Sequence, residues 1–258
     1  MSFKNFFFSK KKFPLLLKLT LGRYFLINLE FLKKEKRLSF QRNFEEIYQL
    51  FKHKLNKRKI VVDVGAMDGT MYDYFNLFIN NAEYHLIEAS PISFKILQKK
   101  NFGDGYVTLH NKLISSDQET YKFYHYNNRK LSSIAEIAET SLNHLVKNNT
   151  APEKIFEIKG EKLSNLFNDI DILKINTQGS EINVLEGSVD LLKKQKIKLI
   201  MLEFDYRDIY INEKSSHIKN FESLLSKYNY FIVDIIMMKK INGVLSHGYI
   251  VFASHKLK

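Results

Sequence analysis

The segment from Ile60 to Thr70, read as Ile60-Val61-Val62-Asp63-Val64-Gly65-Ala66-Met67-Asp68-Gly69-Thr70, constrains the fold of this chain more than any other. Its first five residues are almost wholly apolar and suit a strand buried on both faces of a parallel sheet. The run stops at Gly65, and Gly69 follows four residues later. A tight turn and close approach of a ligand to the backbone favour residues without a Cβ at such a place. A second apolar run, His85-Leu86-Ile87, ends in Glu88, 25 residues after Asp63. That offset is close to the ~20 residues at which a carboxylate on the second strand accepts hydrogen bonds from ribose hydroxyls.

A G-x-x-x-G turn alone also arises for purely steric reasons. A structural turn needs neither Asp63 nor Glu88, so the two acids argue for a nucleotide cofactor. The third glycine of the dinucleotide fingerprint is absent and position 67 is methionine. Both disfavour NAD and favour S-adenosylmethionine, which has no pyrophosphate for a helix N-terminus to cradle.

The rest of the chain carries the alternation of an α/β fold. Apolar residues at helical spacing predict a helix over 40–55. Strands are predicted at Ile60–Val64, Tyr84–Ile87 and Tyr106–His110, with helices from about Met71 and from Pro91 to Asn101. Pro91 suits a first turn and Ser90 its cap. Residues 119–160 are rich in turn formers, with a short helix expected at Ile134–Val146. The insertion falls where a sheet's carboxyl edge exposes its ligand, so it is a candidate substrate lid, the alternative being an ordinary surface excursion. Strands follow at Ile170–Ile175 and Leu199–Phe204, with a helix between them through Leu192. Phe231–Ile236 and Tyr249–Ala253, linked through Asn242-Gly243, read as an antiparallel pair at the sheet edge. The expected architecture is a Rossmann-like, seven-stranded, mostly parallel sheet closed by a C-terminal hairpin.

Charge divides the chain into two parts. Residues 1–59 hold 16 of the 40 Lys/Arg and 4 of the 28 Asp/Glu, so they carry the whole net +12 and the other 199 residues are neutral, with 24 of each sign. A nucleic-acid enzyme would place its positive field around the active-site mouth, so this distribution argues against a polynucleotide acceptor. Residues 1–58 read as a basic, apolar-rich helical leader, and 59–258 as the catalytic domain. Phe3, Phe6, Phe7 and Phe8 among lysines suit contact with an anionic membrane surface. Packing on the core or on a second subunit is the alternative for residues 1–36. Lys18, Arg23 and Glu30 argue against a spanning helix, and the expected location is the cytoplasm, with the leader at the inner membrane face if it meets lipid. The chain has no cysteine, which excludes cysteine nucleophiles and thiolate metal sites. No other metal-ligand spacing stands out, so no metal is expected.

Three segments, VVDVGAMDGT, HLIEASP and ILKINTQGSEINVLEGS, resemble the FkbM family of S-adenosylmethionine-dependent methyltransferases, and the resemblance extends from about Ile60 to Ala253. It implies a class I methyltransferase fold and transfer of a methyl group to a hydroxyl of a sugar, glycan or small metabolite. The cofactor residues it implies are Asp63, Gly65, Ala66, Gly69, Thr70 and Glu88, with Ser116 and Asp117 near the adenine and Asn176 near the methionine moiety. Asn176 stands where the family has an acid, and an amide cannot serve as a base. Candidates for the chemistry are therefore Glu203, as base or acceptor of the substrate hydroxyl, and Lys174, which orients substrate or pairs with Glu203; Asp205 shares that edge. The alternative for Lys174 and Glu203 is a structural ion pair. A Pro-Pro-aromatic motif of amino-group methylation is absent. Two further classes remain open at this stage: a catalytically impaired cofactor-binding scaffold, and an NAD-dependent sugar oxidoreductase, for which a Tyr-x-x-x-Lys pair is lacking.

Overall fold

The computed structural model describes residues 43–103, 105–138, 151–207, 209–211 and 216–258. The chain divides into two units, Met1–Phe44 and Glu45–Lys258, and the elements below belong to the second. The leader read at residues 1–36 and positions 139–150 of the candidate lid lie outside the described residues.

The strands are β1 (Lys59–Val64), β2 (Ala82–Ile87), β3 (Tyr106–His110), β4 (Leu113–Ile114), β5 (Thr120–His125), β6 (Lys154–Glu161), β7 (Ile170–Ile175), β8 (Ile197–Asp205), β9 (Tyr230–Ile241) and β10 (Val244–Ser254). Seven of them form one sheet in the order β3-β2-β1-β7-β8-β10-β9. The first five in that order pair in parallel. β10 runs antiparallel to both of its neighbours. This is the class I methyltransferase arrangement. The central strands are buried because both sheet faces are covered: all six residues of β7 are buried, as are the last four of β1. The strand order reverses between β1 and β7, and in such a sheet a ligand binds in the crevice outside the carboxyl ends at that reversal.

Local chemistry explains the element ends. Ser90 sits in extended backbone before the helix Pro91–Leu97, and its side chain accepts a hydrogen bond from Ser93 N, so cap and first-turn proline stand as expected from the sequence. At the sheet edge Asn242 and Gly243 both take positive φ, 51° and 82°. That geometry matches a two-residue hairpin turn, so the paired strands run right up to it and are longer than the sequence suggests. The helix expected to continue through Leu192 breaks into Glu181–Glu186 and Val189–Lys193. The cause lies elsewhere in the chain: a Cβ on Gly187 would lie 2.0 Å from Ser115 O, so a neighbouring backbone crosses at the break.

Residues 119–160 also depart from expectation. β5 and β6 pair antiparallel over six residues, from Thr120↔Lys159 to His125↔Lys154, and with β4 they form a second, three-stranded sheet. Charged residues Lys122, Glu157 and Lys159 on exposed positions hide this pairing from any apolar pattern. The helix expected from Ile134 does not form over 134–138. Ile137 instead bridges to Tyr210, and Ser133 to Tyr124. The apolar side chains of this piece are buried in a small cluster, Tyr126, Leu131, Ile137, Ile209 and Tyr210, so tertiary contact decides their conformation.

Candidate cofactor and acceptor site

The turn after β1 is built from backbone hydrogen bonds. Gly65 N and Ala66 N both donate to Ile87 O, at 2.9 and 3.0 Å, and Gly69 N donates to Ala66 O at 2.8 Å. Gly65 has φ 78°, and a Cβ there would meet Asn176 O at 1.9 Å. Glycine is therefore demanded by the crossing of two backbones, and the steric explanation of this position suffices without a ligand. Gly69, at φ 73°, leads into the helix Thr70–Phe75. Asp68 Oδ1 accepts from Thr70 N and from Thr70 Oγ1, at 3.1 and 2.7 Å. Met67 is left-handed at φ 50°, a conformation that costs an L-residue roughly 1–2 kcal/mol. What holds it is Glu88, whose Oε2 accepts from Met67 N at 2.8 Å.

Glu88 Oε1 accepts from Ser90 N, also at 2.8 Å. Each carboxylate oxygen thus has one backbone donor and keeps a further lone pair. The residue is only 7% exposed. Burial pushes its carboxyl up to about 7, against the opposing pull of the Ser90 and Met67 N–H groups and the Lys174 charge. A carboxylate fixed in this way at the end of β2 is suited to the two hydroxyls of a ribose.

Lys174 faces Asp63 across the β1–β7 register, and its Nζ lies 2.7 Å from Asp63 Oδ1. The same Nζ donates to Gly65 O at 3.0 Å. The structural ion pair named as the alternative for Lys174 and Glu203 is therefore replaced by one with Asp63. Register is the reason: on β8 the partner of Lys174 is Met201, and Glu203 lies two residues further along. Asp63 and Lys174 are 1% and 3% exposed, and Asp63 Oδ2 is buried without a hydrogen-bond partner. The pair braces the glycine turn from below and leaves one carboxylate oxygen to accept a donor.

On the other side of the reversal point, five side chains join in a hydrogen-bonded network. Asn176 Nδ2 donates to Tyr249 OH at 3.0 Å. Gln178 Nε2 donates both to Asn176 Oδ1, at 2.6 Å, and to Glu203 Oε2, at 2.7 Å. The single hydroxyl hydrogen of Tyr210 is shared between Gln178 Oε1 at 3.3 Å and Leu131 O at 3.2 Å. Burial raises the Glu203 carboxyl to about 7, helped by the nearby Glu181 and Asp205 charges and opposed by Arg207 and Lys174. Glu181 is 1% exposed. Its carboxylate folds back on the turn, accepting from Thr177 N at 2.7 Å, from Gly179 N at 3.1 Å and from Ser216 Oγ. Burial raises this carboxyl too. Asp205 makes a two-pronged ion pair with Arg207.

Ser116 and Asp117 sit in the turn between β4 and β5. Ser116 Oγ donates to Asp117 Oδ2 at 3.2 Å, while Asp117 Oδ1 accepts from Glu119 N at 3.0 Å and Tyr121 OH at 2.8 Å. The Glu119 N–H and the Tyr121 hydroxyl hold this carboxyl below its usual value. The structure thus joins Asp63 to Lys174 and Gly65, joins Glu88 to the loop at Met67, and joins Asn176 to Glu203 through Gln178. Gln178, Tyr210 and Tyr249 were not singled out as site residues from the sequence. Only Gln178 left a signal there, as part of the Gln178-Gly179-Ser180-Glu181 turn.

The family model described as "Methyltransferase FkbM domain" matches residues 63–232, about two thirds of the chain. The chain belongs to the FkbM methyltransferase family. It is a methyltransferase, and its methyl donor is S-adenosylmethionine, which removes the nicotinamide oxidoreductase alternative. Solved structures to which this FkbM methyltransferase is similar include the magnesium protoporphyrin IX methyltransferase of Synechocystis PCC 6803 with bound SAM. It is 11% identical, with 87% of this chain and 84% of that one covered and a TM-score of 0.44. The plantazolicin methyltransferase BpumL in complex with SAH is 13% identical, with 85% and 84% covered and a TM-score of 0.45. A TehB-like SAM-dependent methyltransferase from Corynebacterium glutamicum ATCC 13032 is 10% identical, with 80% and 85% covered and a TM-score of 0.39. No curated protein matches the chain. Among the described residues no helix is long and apolar enough to cross a membrane, and no three His, Asp or Glu side chains are grouped to hold a metal ion.

Proposed function

We propose that this methyltransferase O-methylates a hydroxyl of a sugar, glycan or small metabolite, with Glu203 taking the acceptor's proton. The observation that carries the reading is the state of Glu203. Its Oε2 is held by Gln178, its Oε1 has no hydrogen-bond partner among the described residues, and its carboxyl is poised at about 7. A carboxyl of that strength is half ionised at neutral pH and can accept a proton as it leaves a hydroxyl. Bound S-adenosylmethionine supplies a methyl on a sulfonium: the O–CH3 bond forms as the S–CH3 bond breaks with its electron pair left on sulfur, so the acceptor's proton is what the protein has to remove.

Charge favours a neutral acceptor. The cations that act on Glu203 are Lys174 and Arg207, and each is already paired with a carboxylate, Asp63 and Asp205. Neither is left for a phosphate, which fits a hydroxyl of a carbohydrate better than a nucleic-acid backbone. Glu88 would accept the ribose hydroxyls. Asn176 and the unpartnered Asp63 Oδ2 would meet the methionine moiety, and Ser116 and Asp117 the adenine. Lys174 acts as a brace for the glycine turn. Residues 119–160 would cover the acceptor as a lid.

A basic leader rich in Phe joined to a neutral catalytic body suits a lipid-linked glycan met at the inner face of a membrane. Deleting residues 1–36 and sedimenting both proteins with anionic vesicles tests that part: unchanged binding discards it. The acceptor reading is tested by methyl transfer from labelled S-adenosylmethionine to panels of sugars, lipid-linked glycans and oligonucleotides, with Glu203→Gln as control. Transfer to a hydroxyl that the variant no longer supports is expected. Transfer to a nucleobase or an amine, or full activity of Glu203→Gln, overturns it.

A further inference from the structure

We propose that Gln178 is the positioning residue for Glu203, its amide fixing the carboxylate plane so that only Oε1 faces the acceptor. The proposal rests on the reading that Glu203 takes the acceptor's proton.

Gln178 stands in the left-handed region at φ 56° without being glycine. Glycine would adopt this backbone freely, so the side chain at 178 is tolerated there against a local penalty, and unfavourable backbone of this kind clusters at functional sites. What that side chain does is visible in its bonds. An amide nitrogen has two hydrogens, and both are spent, one on Asn176 Oδ1 at 2.6 Å and one on Glu203 Oε2 at 2.7 Å. Its oxygen accepts from Tyr210 OH. All three contacts agree on one orientation of the amide, since a flipped group would set its oxygen against two acceptors.

Three consequences follow from that geometry. The Gln178 N–H stabilises the ionised form of Glu203, the form that accepts a proton. It occupies Oε2, so the proton arriving from the acceptor goes to Oε1. And the amide is anchored from the lid side, because Tyr210 OH shares its hydrogen with Leu131 O and the Tyr210 backbone bridges to Ile137. Residues 131–137 of the candidate lid are thereby tied through Tyr210 and Gln178 to the carboxylate that does the chemistry. Tyr210 acts on Glu203 only through Gln178 and is itself a positioning residue.

The test needs no acceptor. Protein labelled with 13C at glutamate carboxyls is titrated by NMR, and the Glu88 and Glu203 resonances are assigned by Glu88→Gln and Glu203→Gln. In Gln178→Met, which keeps length and removes the amide, the Glu203 midpoint is expected to rise by about one pH unit, a tenfold gain in proton affinity. The Glu88 midpoint and the affinity for S-adenosylhomocysteine should stay within twofold of the parent. Tyr210→Phe should move the Glu203 midpoint in the same direction by less. An unchanged Glu203 midpoint in Gln178→Met overturns the proposal, as does a parallel shift of Glu88 with loss of S-adenosylhomocysteine binding, which marks general disruption. Full methyl transfer by Glu203→Gln is a separate result that removes the underlying reading of Glu203 itself.

Discussion

Replacing Lys174 by methionine should destabilise this protein far more than its modest loss of polar contacts suggests. Lys174 Nζ lies 2.7 Å from Asp63 Oδ1, with both side chains at 4% exposure or less. At an effective dielectric constant of about 20 the gross attraction is about 6 kcal/mol. Desolvation of the two ions cancels much of that, so the pair as a whole adds little over an apolar pair. Removing one partner is another matter, because Asp63 Oδ2 already lacks a hydrogen bond and the carboxylate would be left buried without a counter-charge. Such a loss costs about 3–5 kcal/mol, and Gly65 O loses its donor as well. For a domain of this size each kcal/mol lowers Tm by roughly 2–4 °C, which gives a drop of about 6–20 °C. Urea unfolding of Lys174→Met, Asp63→Asn and the double variant forms a closed cycle. The double variant should be more stable than Lys174→Met alone, since neutralising position 63 removes the uncompensated charge. A single-variant cost below about 1 kcal/mol, or costs that simply add in the double variant, would refute the reasoning.

Stability should also depend on pH through the raised carboxyls of Glu88 and Glu203. Glu88 and Glu203 each move from 4.5 to about 7 on folding, so between those values the native state binds more protons than the unfolded one. Stability from these groups is full below about 4.5 and declines as pH rises towards 7, by up to about 3 kcal/mol each. Glu88→Gln and Glu203→Gln should each flatten the decline in urea midpoint from pH 5 to pH 8, and an equally steep decline in both would count against the burial argument. Gly65→Ala should cost more than about 3 kcal/mol or prevent folding, because its Cβ would lie 1.9 Å from Asn176 O. Gly103→Ala, at φ 59° with nothing within 4 Å, should cost only about 1 kcal/mol; equal unfolding midpoints for the two would contradict the packing account. Glu88→Ala should weaken S-adenosylhomocysteine binding at least about tenfold by calorimetry, since it removes charged acceptors for the ribose and frees Met67 from its left-handed turn.

The sheet itself was legible in the sequence because its signals are local. Val61 to Val64 and Ile170 to Ile175 are mainly apolar runs that suit a doubly covered strand, and Ser90-Pro91 and Asn242-Gly243 specify their cap and turn by backbone chemistry within a few residues. Asp63 and Glu88 were visible for the same reason, as departures from what a plain turn requires. The second sheet was hidden, since β5 and β6 carry charged residues on exposed positions and are joined by a long connection, so nothing near either strand announces its partner. The break at Gly187 depends on Ser115, more than seventy residues away in the chain.

Residue types alone therefore determined the α/β alternation with its closing hairpin, the cofactor turn to expect and the acids that could serve it. Only the tertiary structure decided the pairings. The parallel register places Lys174 opposite Asp63 and two residues short of Glu203, so its Nζ meets Asp63 and Gly65 O. Chain reversal likewise brings Gln178, Tyr210 and Tyr249 from three separate segments around Glu203, and burial there raises its carboxyl to about 7. Hydrogen-bond partners and desolvation are properties of side chains distant in sequence and close in space, and a periodicity read along one chain does not contain them.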